Sequence, residues 1–263
     1  MNNLTLESTG IGGIFRNSLR LYKNNFIKCV VILFPLQITF FLVCVLSVIF
    51  KIGKHSFAGL GTTTVCFVLV LLLSMVYALS AGAIVYLISA AFLNKRIGIM
   101  EACKKVTPHV FGLWILMLLS GLIIFGGLAM KIIPGIIFMI FLSFIVPVMI
   151  VEKKKTGATM RRSFELVAGS FGKVLTTLLL LALVQIVYMY IMGTGIFTIA
   201  EFTGISPMQQ LSFSGELINM GIINFFNLLL TPFYMITLIS LYYGIKAGKE
   251  GFNQEAMASF VGR

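Results

Sequence analysis

The chain is 263 residues long, 59% hydrophobic and 11% charged, and its 20 Lys and Arg against 8 Glu and no Asp leave a net charge of +12. Soluble domains run at about 45–50% apolar and about 25% charged, and a single core of this size cannot hide the surplus. A soluble enzyme, a secreted scaffold and a disordered tail are thereby excluded; in the polytopic membrane protein that remains, the basic excess fits loops beside anionic lipid, and no nucleic-acid partner is expected.

About 20 apolar residues cross a hydrocarbon core of about 30 Å, and six stretches reach that length. Ahead of the first, Phe15, Leu19, Tyr22 and Phe26 fall at i, i+4, i+7 and i+11, with Arg16, Arg20 and Lys23 on another face. An apolar stripe beside a basic face predicts a short helix lying in the membrane interface. The first span, 26–50, carries Pro35, Gln37 and Cys44. It starts late, is too long for a signal-peptide core and lacks a small-x-small cleavage site after it, so it is expected to stay in the mature protein. Lys51, Lys54 and His55 follow, and then the second span, 65–93, with Cys66.

A second basic segment, 98–111, contains Cys103, Lys104, Lys105, Pro108 and His109 and leads into span 110–130. Lys131 and then Ile132, Ile133, Pro134 and Gly135 predict a tight hairpin turn into span 132–151, with Pro147 near its end and Glu152 after it. The third basic segment, 158–171, repeats the apolar spacing as Met160, Phe164, Val167 and Phe171, with Arg161 and Arg162 off the stripe. Span 174–200 carries Gln185 and closes near Glu201; span 217–245 opens at Glu216 and carries Asn224, Asn227 and Pro232.

Aligned without gaps, the three basic segments bring Ser18, Cys103 and Ser163 into one column, and likewise Phe15, Met100 and Met160, and Phe26, Phe111 and Phe171. The expected fold is therefore all-α: one integral membrane domain of six transmembrane helices in three elbow-plus-hairpin repeats, 11–95, 96–155 and 156–250, followed by a tail at 251–263. Seventeen of the 20 cations lie in the flanks on the N-terminal side and three in the alternate loops, which predicts both termini in the cytoplasm.

Reactive groups are sparse. His55 and His109 stand alone, the four cysteines (Cys29, Cys44, Cys66 and Cys103) show no Cys-x-x-Cys spacing, and nucleophile-elbow, Walker and dinucleotide signatures are absent. With no Asp and no clustered carboxylates, no catalytic residue, metal or cofactor is expected. Two functional readings follow. In the first the chain is a non-catalytic accessory or scaffold whose elbow cations Arg16, Arg20, Lys23, Arg161 and Arg162 contact anionic headgroups or a membrane or cytoplasmic protein partner. In the second it is a permease or lipid-handling protein with a polar path of Gln37, Gln185, Asn224 and Asn227, residues that otherwise serve as interhelical glue. The sequence specifies neither a substrate nor an oligomeric state.

Residues 144–152 (Phe-Ile-Val-Pro-Val-Met-Ile-Val-Glu), the segment from Ala158 to Lys173, and the closing stretch from Thr231 through Tyr242, Tyr243 and Lys246 to Phe252 resemble the core motifs of a prokaryotic family. That family is the glycerophosphodiester phosphodiesterase membrane-domain superfamily, together with the YciC-like uncharacterised integral membrane proteins; Phe15 to Phe26 is similar to its first elbow. The resemblance implies six spans, an inner-membrane location and no settled activity, with catalysis in a separate soluble domain where one is attached. The family tends to place an Asp where Gly244 stands here and another where Asn253 stands.

Overall fold

The structure is a computed structural model that describes residues 10–52, 60–93, 95, 97–202 and 213–250; the side chains of 44, 46–52, 60–66, 196–202 and 213–219 are not among those described. His55, Asn253 and the tail 251–263 lie outside these residues, as do the side chains of Cys44, Cys66, Glu201 and Glu216. The described residues are helical throughout apart from short connections: α1 (Ile11–Ile52), α2 (Leu60–Phe92), α3 (Ile99–Val106), a 3-10 turn (Thr107–His109), α4 (Val110–Met130), α5 (Ile132–Phe141), α6 (Ile145–Glu152), α7 (Thr156–Ala168), α8 (Phe171–Phe202) and α9 (Phe213–Glu250). Among the described residues, six helical segments are long and apolar enough to cross a membrane: Ile11–Val43, Phe67–Phe92, Ile99–Met130, Ile132–Glu152, Phe171–Gly195 and Met220–Glu250.

The first elbow and the first span form one unbroken helix, because nothing between Ile11 and Ile52 stops propagation except Pro35, which α1 absorbs. The tightly packed face of α1 is one residue round from the aromatic stripe. Ile14, Ser18, Leu21 and Cys29 are buried while Leu19 is exposed, since the small Ser18 and Cys29 let a neighbour approach and the aromatics flank that contact. Tyr22 packs edgewise and Phe15 at a tilt against Phe233 of α9, and the Tyr22 hydroxyl donates to Leu229 O at 2.8 Å. The alignment column of Leu21, Val106 and Leu166 is buried in all three elbows.

The turn between α4 and α5 is Lys131 alone, in extended backbone at φ −163°, so Ile132 to Gly135 already form the first turn of α5. Gly135 makes this possible: a Cβ there would stand 2.8 Å from Leu128 N. The fourth span is broken at 142–144. Helix α6 restarts so that Pro147 falls within its first turn, where the missing N–H costs little. The break is closed from outside by α7, whose Ser163 Oγ donates to Phe141 O at 2.6 Å and accepts from Phe144 N at 3.3 Å. Phe141 and Phe164 stack across the same junction, 4.8 Å between centroids.

Candidate functional site

Two polar centres stand out in an otherwise apolar bundle. The first is a cavity of about 410 Å³ between α1, α2 and α9. Its polar wall comprises Gln37 of α1, Ser74 and Tyr77 of α2, and Asn224, Asn227 and Thr231 of α9. The α9 trio falls at i, i+3 and i+7 and so shares a face. Asn224 is 7% exposed; its Nδ2 donates to Met220 O at 2.9 Å, and its Oδ1 is buried with no partner among the described residues. A buried acceptor left unsatisfied costs about 1–3 kcal/mol; this oxygen has no open surface, so the amides that the cavity presents are those of Gln37 and Asn227. Leu36, Phe40, Val70 and Leu73 complete the lining. At the rim Phe40, Val70 and Tyr77 are 44, 55 and 42% exposed, so the cavity opens sideways out of the bundle.

Tyr77 also lines a smaller cavity of about 80 Å³ that reaches Tyr234, Pro147 and Ser143. The Ser143 Oγ, at the α5–α6 break, is likewise buried without a partner among the described residues. Beside the larger cavity, Trp114 of α4 donates its Nε1 to Ser74 Oγ at 2.8 Å, and Ser74 Oγ donates to Leu71 O at 2.7 Å.

The second centre is an ion cluster around Glu152, the last residue of α6. Its Oε1 accepts from Lys246 Nζ at 2.8 Å and from the Tyr242 hydroxyl at 3.0 Å; its Oε2 takes Arg162 Nε and Lys154 Nζ, both at 3.2 Å. Arg162 continues to Glu250 through Nη2 and stands 3.8 Å from Glu165 through Nη1. The side chains of Glu152 and Lys246 are only 7% and 3% exposed. The backbone accommodates this by leaving α6 through Lys153 at φ 51°, which turns the chain back so that Lys154 and α7 close over the carboxylate. Lys249 caps α7 from α9, donating to Glu165 O at 2.9 Å and Leu166 O at 3.0 Å, where a helix C-terminus favours a cation. Gly169 leaves the space for that Lys249 ammonium.

Residues 114–260, more than half of the chain, match the family described as the membrane domain of glycerophosphoryl diester phosphodiesterase. The chain belongs to this family. No curated protein and no solved structure matches it. The family model that matches describes the membrane domain of such enzymes and not their catalytic domain. In this member of the family the motif stretches that are far apart in sequence meet in space. Phe144 and Tyr242 are 6.0 Å apart between ring centroids, and Glu152 at the end of one stretch takes its bonds from Tyr242 and Lys246 of the other.

Of the candidate path residues, Gln37, Asn224 and Asn227 share the cavity, whereas Gln185 is half-exposed on α8 and does not line it. Of the elbow cations, Arg16, Arg20 and Lys23 are exposed on α1, and Arg161 is exposed and pairs with Glu165 at 3.1 Å. Arg162 is turned inward to Glu152. The cluster itself, with Tyr242 and Lys246, and the cavity hydroxyls of Ser74, Tyr77 and Thr231 escape sequence reasoning. Three consecutive lysines after a lone Glu152 were the signal available for the cluster.

Proposed function

We propose that this multi-pass protein is a non-catalytic, lipid-handling component of a prokaryotic cytoplasmic membrane, holding an amphiphile in the cavity between α1, α2 and α9. One observation carries the reading: Gln37 and the Asn224–Asn227 pair, 187 positions apart from Gln37 to Asn224, converge on one cavity in an apolar bundle. Polar groups inside a membrane bundle are costly unless paired, so three amides around an open volume suit a ligand better than packing alone. The sideways rim suits entry from the lipid phase. The prokaryotic location rests on the family resemblance given above.

A second reading is favoured by a different observation. Arg16, Arg20 and Lys23 are all exposed on α1 at i, i+4 and i+7 while the opposite face packs into the bundle. Such a row supports an accessory role in which α1 rests on anionic headgroups or a protein partner.

One experiment weighs the two. Lipids retained by the protein after purification in mild detergent are quantified for wild type, for Asn224→Leu with Asn227→Leu, and for Arg16→Gln, Arg20→Gln and Lys23→Gln combined. Lipid handling predicts that the asparagine pair loses a stoichiometric lipid and the cation triple does not. Loss of anionic lipid from the triple alone, with the asparagine pair like wild type, rejects lipid handling and supports the accessory role.

A further inference from the structure

The cavity's wall carries hydroxyls and carboxamides and, among its described lining residues, no charged side chain. An anionic or cationic head enclosed there would be desolvated without a counter-ion, at several kcal/mol on general grounds. A neutral head bearing hydroxyls meets the opposite situation. Gln37, Asn227 and the Tyr77 hydroxyl offer both donors and acceptors, while Ser74 and Thr231, whose hydroxyl protons go to Leu71 O and Asn227 O, offer acceptors. The apolar side of the cavity, Leu36, Phe40, Val70 and Leu73, continues to a rim whose Phe40 and Val70 face out of the bundle. Hydrocarbon chains attached to the head can therefore leave through the rim into the bilayer without crossing a polar surface.

We infer that the cavity is a binding site for an uncharged, hydroxyl-bearing lipid of the diacylglycerol type, with its free hydroxyl bonded to the carboxamides of Gln37 and Asn227 and its acyl chains leaving past Phe40 and Val70. The inference rests on the lipid-handling reading and narrows it to a substrate class. Trp114, the chain's one tryptophan, bonds directly to the cavity residue Ser74, and so serves as a built-in reporter of occupancy.

The test uses the full chain in phosphatidylcholine nanodiscs, with Trp114 emission recorded as chain-brominated diacylglycerol, phosphatidic acid or phosphatidylcholine replaces the host lipid at low mole fraction. Brominated diacylglycerol is expected to quench Trp114 saturably, with about tenfold weaker apparent affinity in Asn224→Leu with Asn227→Leu, as the loss of paired intramembrane hydrogen bonds implies. Gln185→Leu, whose side chain is outside the cavity, is expected to titrate like wild type. Size-exclusion elution and thermal unfolding of the asparagine pair like those of Gln185→Leu guard against a fold defect as the cause of its weaker quenching. Saturable, asparagine-dependent quenching by phosphatidic acid or phosphatidylcholine at equal or lower concentration overturns the neutral-head inference and leaves lipid handling standing. Quenching that is linear and variant-independent for all three lipids overturns both.

Discussion

Glu152 carries one negative charge and faces Lys246, Arg162 and Lys154 within 3.2 Å, with Tyr242 donating to the same oxygen as Lys246. In such a buried arrangement the members are worth little separately and cannot be removed singly, because the survivor is left as an uncompensated charge. Glu152→Gln is expected to destabilise by about 3–5 kcal/mol, since the nearly fully buried Lys246 then has lost its carboxylate. Lys246→Met should cost less, because Arg162 and Lys154 still neutralise Glu152. The double variant Glu152→Gln with Lys246→Met should recover much of the loss of the first. Thermal unfolding in detergent by size-exclusion recovery measures all three, and strictly additive losses would show that the cluster is not a coupled unit. The same residues account for the family's spaced motifs here. They fasten α6, α7 and α9 at one end of the bundle, away from the cavity, so they support the site by holding α9 rather than by lining it.

At the scale of helices, the connections depend on close approach more than on turn sequences. The α4–α5 hairpin turns on a single extended residue because Gly135 lets the backbone of Leu128 come near. Gly135→Ala is expected to cost about 1–3 kcal/mol through overpacking against backbone that cannot yield, whereas Gly126→Ala, which meets nothing within 4 Å, should be neutral. Thermal stabilities that are equal for the two would remove Gly135 as the determinant of the turn. The six spans were legible from the sequence because solvation by lipid demands a local run of apolar residues, and that demand is visible residue by residue. The break in the fourth span was not, because it is stabilised by Ser163, a residue of another helix. The site divides in the same way. Asn224 and Asn227 sit one helical turn apart and could be paired on paper, but Gln37 joins them, and Gln185 leaves them, only through the way α1, α8 and α9 pack. The Glu152–Lys246 contact spans 94 positions and had no local signature beyond a solitary acid in a basic neighbourhood.

Across the whole molecule, the distribution of charge carries an orientation. The elbows, the Glu152 cluster and the bond from Lys28 Nζ to Ile97 O at 2.9 Å all belong to the segments that hold 17 of the 20 cations, and the α4–α5 hairpin, with Lys131, belongs to the alternate set. Because the K/R bias of short flanking loops sets which side stays in the cytoplasm, the elbow end should face inward and the hairpin outward. Lys105 of α3 and Lys131 are both exposed and lie at opposite ends of α4, which spans about 32 Å over its 21 residues. In a variant freed of its native cysteines, Lys131→Cys in intact spheroplasts is expected to react with a membrane-impermeant maleimide, and Lys105→Cys only after permeabilisation. The opposite pattern would invert the protein and place the basic row of Arg16, Arg20 and Lys23 on the outer face, removing the accessory reading that depends on cytoplasmic anionic lipid. The cavity argument would survive that inversion, because Phe40 and Val70 stay exposed at its rim whichever end faces the cytoplasm. Orientation labelling therefore separates what the cations do from what the amides do.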